Sequence, residues 1–331
     1  MGHWGKACLA LAVFATACGD DDGTTGDAGG RDSAVADAGG TDGALPDSGP
    51  GNPDAGVPDT GPRVDAGPRT PGHMSFVPPG LMPETATRMI VLGDSISAGA
   101  GAGRGSLVYH SLLVDNDDSM WPDDTESDLA ALTGGTVEVI DAAVGGARTG
   151  NLAGQVDRAL GDIDLPAVGH TVVVVTIGGN DLQSALVGGN PTGPLLDRAI
   201  AAIRAMAERL LDPTDFPDGT SLYLAAVYDP SDGEAQIDGC FFNLELPELV
   251  AALDVWRDRY IELGEELGFS VIDALGHFHG HGHNHMNTEN PFYDSADPSF
   301  WFADCIHPNA RGHHELRRLF YEAMNPAFVV E

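Results

Sequence analysis

The segment Thr171–Ile177 (Thr-Val-Val-Val-Val-Thr-Ile) constrains the fold more than any other. It is a continuous run of β-branched residues with no polar alternation, so it predicts a strand buried on both faces. Such a strand needs cover above and below. Shorter apolar runs at Arg88–Leu92, Thr136–Ile140, Ser221–Val227 and Phe269–Ile272 predict four more strands. Between and after them lie helical patterns at Leu152–Leu160, Pro194–Leu211, Pro247–Leu267 (with Gly268 as its stop) and His313–Met324. Strands alternating with helices predict an α/β domain built on a parallel sheet covered on both sides. In open parallel sheets, ligands bind beyond the carboxyl ends of the strands.

Four short motifs fall at or near those ends. Gly93-Asp94-Ser95 follows the first strand, Ala143-Val144-Gly145-Gly146 the second, and Gly178-Gly179-Asn180-Asp181 the third. Asp304-Cys305-Ile306-His307-Pro308 precedes the last helix. Serine is a weak nucleophile without a base. Histidine is the residue suited to that task, and a carboxylate can hold its tautomer. A spacing of three puts Asp304 and His307 on one side of a turn, and Pro308 limits the His307 backbone to extended forms. The backbone N–H groups of Ser95 and Gly146 and the side-chain amide of Asn180 are candidate oxyanion donors. Each motif alone is equally a turn or a helix cap.

Together the four motifs resemble the SGNH (GDSL-type) esterase/lipase superfamily, over roughly residues 86–325. Ser95 matches the nucleophile of the family's first block, Gly146 the glycine of the second, and Asn180 the asparagine of the third. Asp304 and His307 match the closing acid–base pair. The resemblance implies a flavodoxin-like three-layer α/β/α sandwich around a five-stranded, mostly parallel sheet. It also implies two-step acyl transfer through an acyl-enzyme, with no metal or organic cofactor. The expected substrate is a small-molecule or carbohydrate ester with a short acyl group. Two other readings stay open: an acyltransferase acting on sugar hydroxyls, and a non-catalytic carbohydrate or cell-wall binding module.

The amino-terminal part of the chain differs in kind. Lys6 followed by the apolar run Ala7–Ala17 reads as a secretion signal, because spanning a bilayer takes about 20 apolar residues. The run ends Ala15-Thr16-Ala17-Cys18, which is similar to the lipobox of bacterial lipoproteins. Residues 1–18 are therefore expected to be a signal with Cys18 as lipid anchor, or an ordinary cleaved signal. Residues 19–80 are expected to be a disordered tether, since Asp, Gly, Pro and Ala bury too little surface to offset ordering entropy. Asp-Ala-Gly recurs there at 27–29, 37–39, 54–56 and 65–67. Residues 81–331 are the expected catalytic domain. The formal net charge of −34 disfavours nucleic acid and anionic lipid headgroups, so the membrane would be met only through the anchor. Cys240 and Cys305 are a disulfide candidate in an exported domain. The oligomeric state is not legible.

Three further features invite functional readings. Residues 274–303 are expected to form a long histidine-rich loop, in which His277, His279, His281, His283 and His285 alternate at period two; extended, it would set five imidazoles on one edge, as metal ligands or as a polar rim. The stretch Asp115–Asp128 is an acidic insertion; its start, Asp115–Ser119, is faintly similar to a calcium loop but lacks the glycine at the sixth position, so it reads as solvated. Trp121, Phe300, Trp301 and Phe302 either line a pocket or pack.

Overall fold

The computed structural model describes residues 75–237, 239–240 and 246–325. The expected signal, Cys18 and most of the expected tether lie outside the described residues. No helix among the described residues is long and apolar enough to cross a membrane.

Five strands form one sheet: β1 Ala86–Gly93, β2 Glu138–Asp141, β3 His170–Thr176, β4 Thr220–Ala225 and β5 Ser270–Ile272. Their order is β2-β1-β3-β4-β5, and every neighbouring pair is parallel. The central strand β3 is buried along its whole length, as its composition predicts. The helices are α1 Tyr109–Val114, α2 Leu129–Thr133, α3 Leu152–Gly161, α4 Gly179–Val187, α5 Pro194–Leu210, α6 Leu249–Leu267, α7 Ala274–Phe278 and α8 Ala310–Met324.

Side chains alternate between two cores along β1, β3, β4 and β5. Ile90, Leu92, Val173, Val175, Leu222 and Leu224 face a layer of α3, α5 and α6, including the buried Trp256 and Tyr260. Met89, Val91, Val172, Val174 and Tyr223 face a layer of α1 and α8, including Tyr109, Leu316 and Phe320. A fully buried valine is worth about 1.5–3 kcal/mol, and Val172–Val175 are all at 0% exposure. The result is the expected three-layer α/β/α sandwich. The chain runs outward from β1 to β2, then returns to place β3 on the other side of β1. That reversal makes the carboxyl ends of β1 and β3 the natural crevice of the sheet.

Three expectations need correction. The tether does not extend to residue 80, because Phe76 exchanges backbone hydrogen bonds with Val271 (2.8 and 2.9 Å) and extends the β5 edge. Residues 274–303 are not loop throughout, because Asp273 caps the short helix α7 by accepting from Gly276 N–H. Nor is the acidic insertion simply solvated. Arg317, fully buried on α8, donates to Asn116 Oδ1 (2.6 Å) and the Ser127 carbonyl (2.8 Å), and Asp124 pairs with buried His314 (3.1 Å).

Candidate active site

The turn that carries Ser95, the candidate nucleophile, begins where β1 ends. Gly93 has φ +133, and a Cβ there would overlap the Thr176 carbonyl oxygen, so only glycine fits. The side chain of Gln155, buried on α3, clamps Gly93 from both sides: Gly93 N–H donates to its Oε1 and its Nε2 donates to the Gly93 carbonyl, both at 2.8 Å. Asp94 N–H donates to the Thr176 carbonyl on β3 (2.9 Å). The Asp94 side chain is buried, and its Oδ1 accepts from Ile96 N–H (3.1 Å) and the Thr176 hydroxyl (3.0 Å). Burial pushes its carboxyl up to about 6, against the opposing pull of those hydrogen bonds and of His307.

Asp304 and His307 sit on the turn before α8. His307 Nε2 lies 2.9 Å from Ser95 Oγ, and His307 Nδ1 lies 2.7 Å from Asp304 Oδ2. Asp304 Oδ1 accepts from the backbone N–H of Ile306 (2.9 Å) and His307 (2.8 Å). Partial burial raises the Asp304 carboxyl, but the hydrogen bonds from His307 and from the two backbone groups outweigh it and hold the pKa at about 2. An ionised Asp304 can only accept, so Nδ1 carries the proton and Nε2 presents its lone pair to the Ser95 hydroxyl. That is the tautomer a general base needs.

This turn is held from several directions. Ala303 N–H donates to the His307 carbonyl (2.8 Å), and the Tyr228 hydroxyl donates to the Ile306 carbonyl (2.5 Å). His283 Nε2 lies 3.2 Å from the Asp304 carbonyl oxygen, to which it donates. The Cys240–Cys305 disulfide is present, so Cys305, next to Asp304, is tied covalently to the segment after β4.

The second and third motifs are joined to each other. Asn180 stands in the first turn of α4, beyond Gly178, whose φ of +109 lets the chain turn where a Cβ would overlap the Tyr260 hydroxyl. Asn180 Nδ2 donates to the Ala147 carbonyl (2.9 Å), and the second hydrogen of that amide remains to serve an oxyanion. Asp181 accepts from the Thr149 N–H and hydroxyl, both at 2.9 Å. Gly146 is exposed at φ +74, and Val144 N–H donates to the Gly93 carbonyl (3.1 Å), which lays this loop beside the nucleophile turn. Ser95, His307 and Asp304 thus form one hydrogen-bonded line, the loop that carries Gly146 is bonded to the turn before Ser95, and Asn180, at the start of α4, is bonded to that loop.

The histidines of the 277–285 tract do not share an edge. His277 reaches Glu315 (3.1 Å), His279 stacks on Phe292 (centroids 3.9 Å apart) and His281 on Trp301 (3.5 Å). His283 turns to Asp304, and His285 Nδ1 lies 2.8 Å from the Gly282 carbonyl. The chain winds because Asp232 gathers the N–H groups of Gly280, Gly282 and Asn284, each at 2.9 Å, and this breaks the extended geometry that period two requires. Among the described residues no group of three or more His, Cys, Asp or Glu is placed to hold a metal ion. Asp117, in the calcium-like stretch, accepts from Ser119 Oγ (2.5 Å) and Arg104 (3.1 Å). Trp121, Trp301 and Phe302 are buried, Trp121 against His314 and Phe302 against Tyr228 and Phe278, so these three pack rather than line a pocket; Phe300 is half-buried beside His283 and His285.

Sequence reading missed Gln155, Thr176 and Tyr228, and it read His283 only as a member of the histidine tract, not as a tether of the Asp304 turn. Gln155 left a signal, since it is a polar residue on the buried face of α3 among Leu152, Val156 and Ala159. Thr176 left one too, as a hydroxyl that directly follows four buried valines at the carboxyl end of β3. The contacts of Tyr228 and His283 left none, because they join segments remote in sequence.

A GDSL-like lipase/acylhydrolase family model matches residues 91–315. The fold is similar to that of a solved structure described as a GDSL-like lipase from Parabacteroides merdae (17% identity, covering 72% of this chain and 96% of that one, TM-score 0.46). It is also similar to the acetylxylan esterase Axe2 from Geobacillus stearothermophilus (16%, 76% and 100%, TM-score 0.47) and to an extracellular lipase from Streptomyces rimosus (22%, 72% and 100%, TM-score 0.42). A search of curated proteins gave no match. The matched span contains the nucleophile turn, both glycine-rich loops and the Asp304–His307 turn, and the chain belongs to the GDSL-like lipase/acylhydrolase family of serine ester hydrolases.

Proposed function

We propose that the protein hydrolyses carboxylic esters by two-step acyl transfer through Ser95. The observation that carries this reading is His307 bridging Ser95 Oγ (2.9 Å) and ionised Asp304 (2.7 Å). His307 Nε2 takes the hydroxyl proton as Ser95 Oγ attacks the ester carbonyl. The N–H groups of Ser95 and Gly146 and the Asn180 amide hold the oxyanion. Collapse expels the alcohol, which receives the proton from His307. Water, deprotonated by His307, then attacks the acyl-Ser95 ester, and the acyl–Oγ bond breaks to release the acid as His307 returns the proton to Ser95 Oγ. Asp304 orients the imidazole and stabilises its cation without taking the proton.

The preferred substrate is a short-acyl ester with a polar alcohol part. Polar groups flank the site, with His283 on the Asp304 carbonyl and Arg148 next to Ala147. The protein acts outside the cytoplasm, anchored through Cys18. A disulfide next to the base fits an oxidising compartment. Labelling by radioactive fatty acid in cells, lost in Cys18→Ser, is the expected result; equal labelling of both would remove the anchor.

The first test is p-nitrophenyl ester hydrolysis by the full chain beside Ser95→Ala, both shown folded by circular dichroism. Wild type is expected to turn over and Ser95→Ala not. The acetyl ester is expected to exceed the decanoyl ester in kcat/KM, and the reverse order would overturn the short-acyl preference.

A further inference from the structure

Beneath Ser95 runs a chain of buried polar groups that the mechanism above does not use. Tyr109 OH lies 2.8 Å from Ser97 Oγ, Ser97 Oγ lies 2.8 Å from Thr176 Oγ1, and Thr176 Oγ1 donates to Asp94 Oδ1 at 3.0 Å. Tyr109 and Ser97 are at 0% exposure, and Thr176 and Asp94 at 4%. Each hydroxyl has one hydrogen to give. The Asp94 carboxylate only accepts, so the Thr176 hydrogen points to it. Ser97 must then donate to Thr176, and Tyr109 to Ser97. Thr176 Oγ1 also accepts from Ser97 N–H (3.2 Å), which fills its second lone pair. The chain therefore runs one way, from Tyr109 on α1 through the turn and β3 to the carboxylate beside the nucleophile. Aligned hydroxyls polarise one another in a dry interior, so each bond stiffens the next.

Its far end closes on Ser95. Asp94 Oδ1 also accepts from Ile96 N–H (3.1 Å), making a turn whose middle residue is Ser95. The position of that carboxylate sets the backbone angles of Ser95, and with them the aim of both its Oγ and its N–H. Resting on the serine chemistry proposed above, we propose that Asp94, Thr176, Ser97 and Tyr109 are positioning residues for Ser95. They fix the nucleophile against His307 without touching substrate. With the chain broken, the carboxylate is free to rotate about its χ1, the turn relaxes and Oγ leaves its line with Nε2. A displacement of about 1 Å at a reacting group costs up to ~10²-fold in rate.

The test uses the full chain with p-nitrophenyl acetate, and circular dichroism to report folding. Thr176→Val removes the central hydroxyl at nearly constant volume. It is expected to lower kcat by about 10-fold or more with KM within about twofold, because the ground-state complex does not need the alignment. Thr176→Ser keeps the hydroxyl and is expected to return kcat to within about threefold of wild type, which a loss of packing alone would not allow. Tyr109→Phe keeps the ring stacked on Phe320 and removes only the first donor; a loss of about threefold is expected, and this variant carries the test if Thr176→Val does not fold. An active wild type with Thr176→Val and Tyr109→Phe both within twofold in kcat, or with the loss confined to KM, would overturn the positioning role and leave the hydrolase standing. A folded wild type that turns over no ester would take down both.

Discussion

The two turns that meet at the site are built in opposite ways. The nucleophile turn, residues 93–100, is an extension of the core: β1 leads into it, Gln155 and Thr176 grip it from neighbouring elements, and a hydroxyl chain runs beneath it. The acid–base turn, residues 303–308, follows a winding loop and no strand leads into it. It is held by separate tethers: a disulfide, the Tyr228 hydroxyl, His283 and the hydrogen bonds within its own turn. One side of the site is positioned by secondary structure and the other by cross-links between distant segments. The first should therefore depend on the core groups beneath it, Thr176 and Asp94 above all, and the second should weaken step by step as tethers are cut.

The largest expected effects ignore this difference, because they remove the reacting groups. Ser95→Ala and His307→Ala should each lower kcat/KM by at least ~10⁴-fold with the circular dichroism spectrum unchanged. Activity within tenfold of wild type in either would break the assignment on that side. Asn180→Ala should lower kcat by ~10²–10³-fold, the usual cost of one oxyanion donor. A variant within twofold of wild type would remove Asn180 from that role.

The comparison itself is sharpened by the disulfide. Replacing both Cys240 and Cys305 by alanine should destabilise the protein by about 2–4 kcal/mol in denaturant unfolding, through loss of the cross-link. It should also lower kcat by ~10-fold, because Cys305 lies between Asp304 and His307. Loss of stability with kcat unchanged would show that the remaining tethers suffice. The smallest effect lies on the nucleophile side. His313 is fully buried; its Nε2 donates to the Ala100 carbonyl (2.9 Å) and its Nδ1 accepts from Tyr109 N–H (3.4 Å), which requires the neutral ring. Burial pushes its pKa down to about 4, while an unfolded histidine titrates near 6.5. Between those values the unfolded chain holds the proton and the folded chain does not, so this group makes stability fall as pH drops from about 6.5 to about 4. Melting temperature against pH should be flatter across that window in His313→Gln than in wild type. Parallel curves would remove His313 from that account. Asp304 behaves otherwise. Its folded pKa of about 2 lies below the unfolded value of about 3.9, so its contribution is complete above that value and fades only as pH falls toward 2. It should add no ionisation to the rate profile above pH 4.

The same contrast explains what could be read from the sequence. β3 was legible because a run of four valines between threonines has only one use in a globular fold. From it the parallel sheet followed, and with the sheet the rim on which Ser95, Gly146 and Asn180 lie. Gly93 and Gly178 were legible only as members of glycine-bearing motifs after strands; the positive φ values that exclude other residues there emerge from the structure. The winding of the 277–285 tract was not legible, because Asp232, which gathers the N–H groups of Gly280, Gly282 and Asn284, is remote in sequence. Period two predicted an extended edge, and long-range capping overrode it. The docking of the acidic insertion was hidden for the same reason: its partners, His314 and Arg317, lie on the last helix.

The central claim is that Ser95 carries the acyl group. The most direct measurement is rapid acid quench of the full chain with p-nitrophenyl acetate, followed by intact and peptide mass analysis. The account predicts one acetyl group per chain, on the peptide containing Ser95, absent in Ser95→Ala and strongly reduced in His307→Ala. Acetyl on another residue, or turnover that persists in Ser95→Ala, would contradict it.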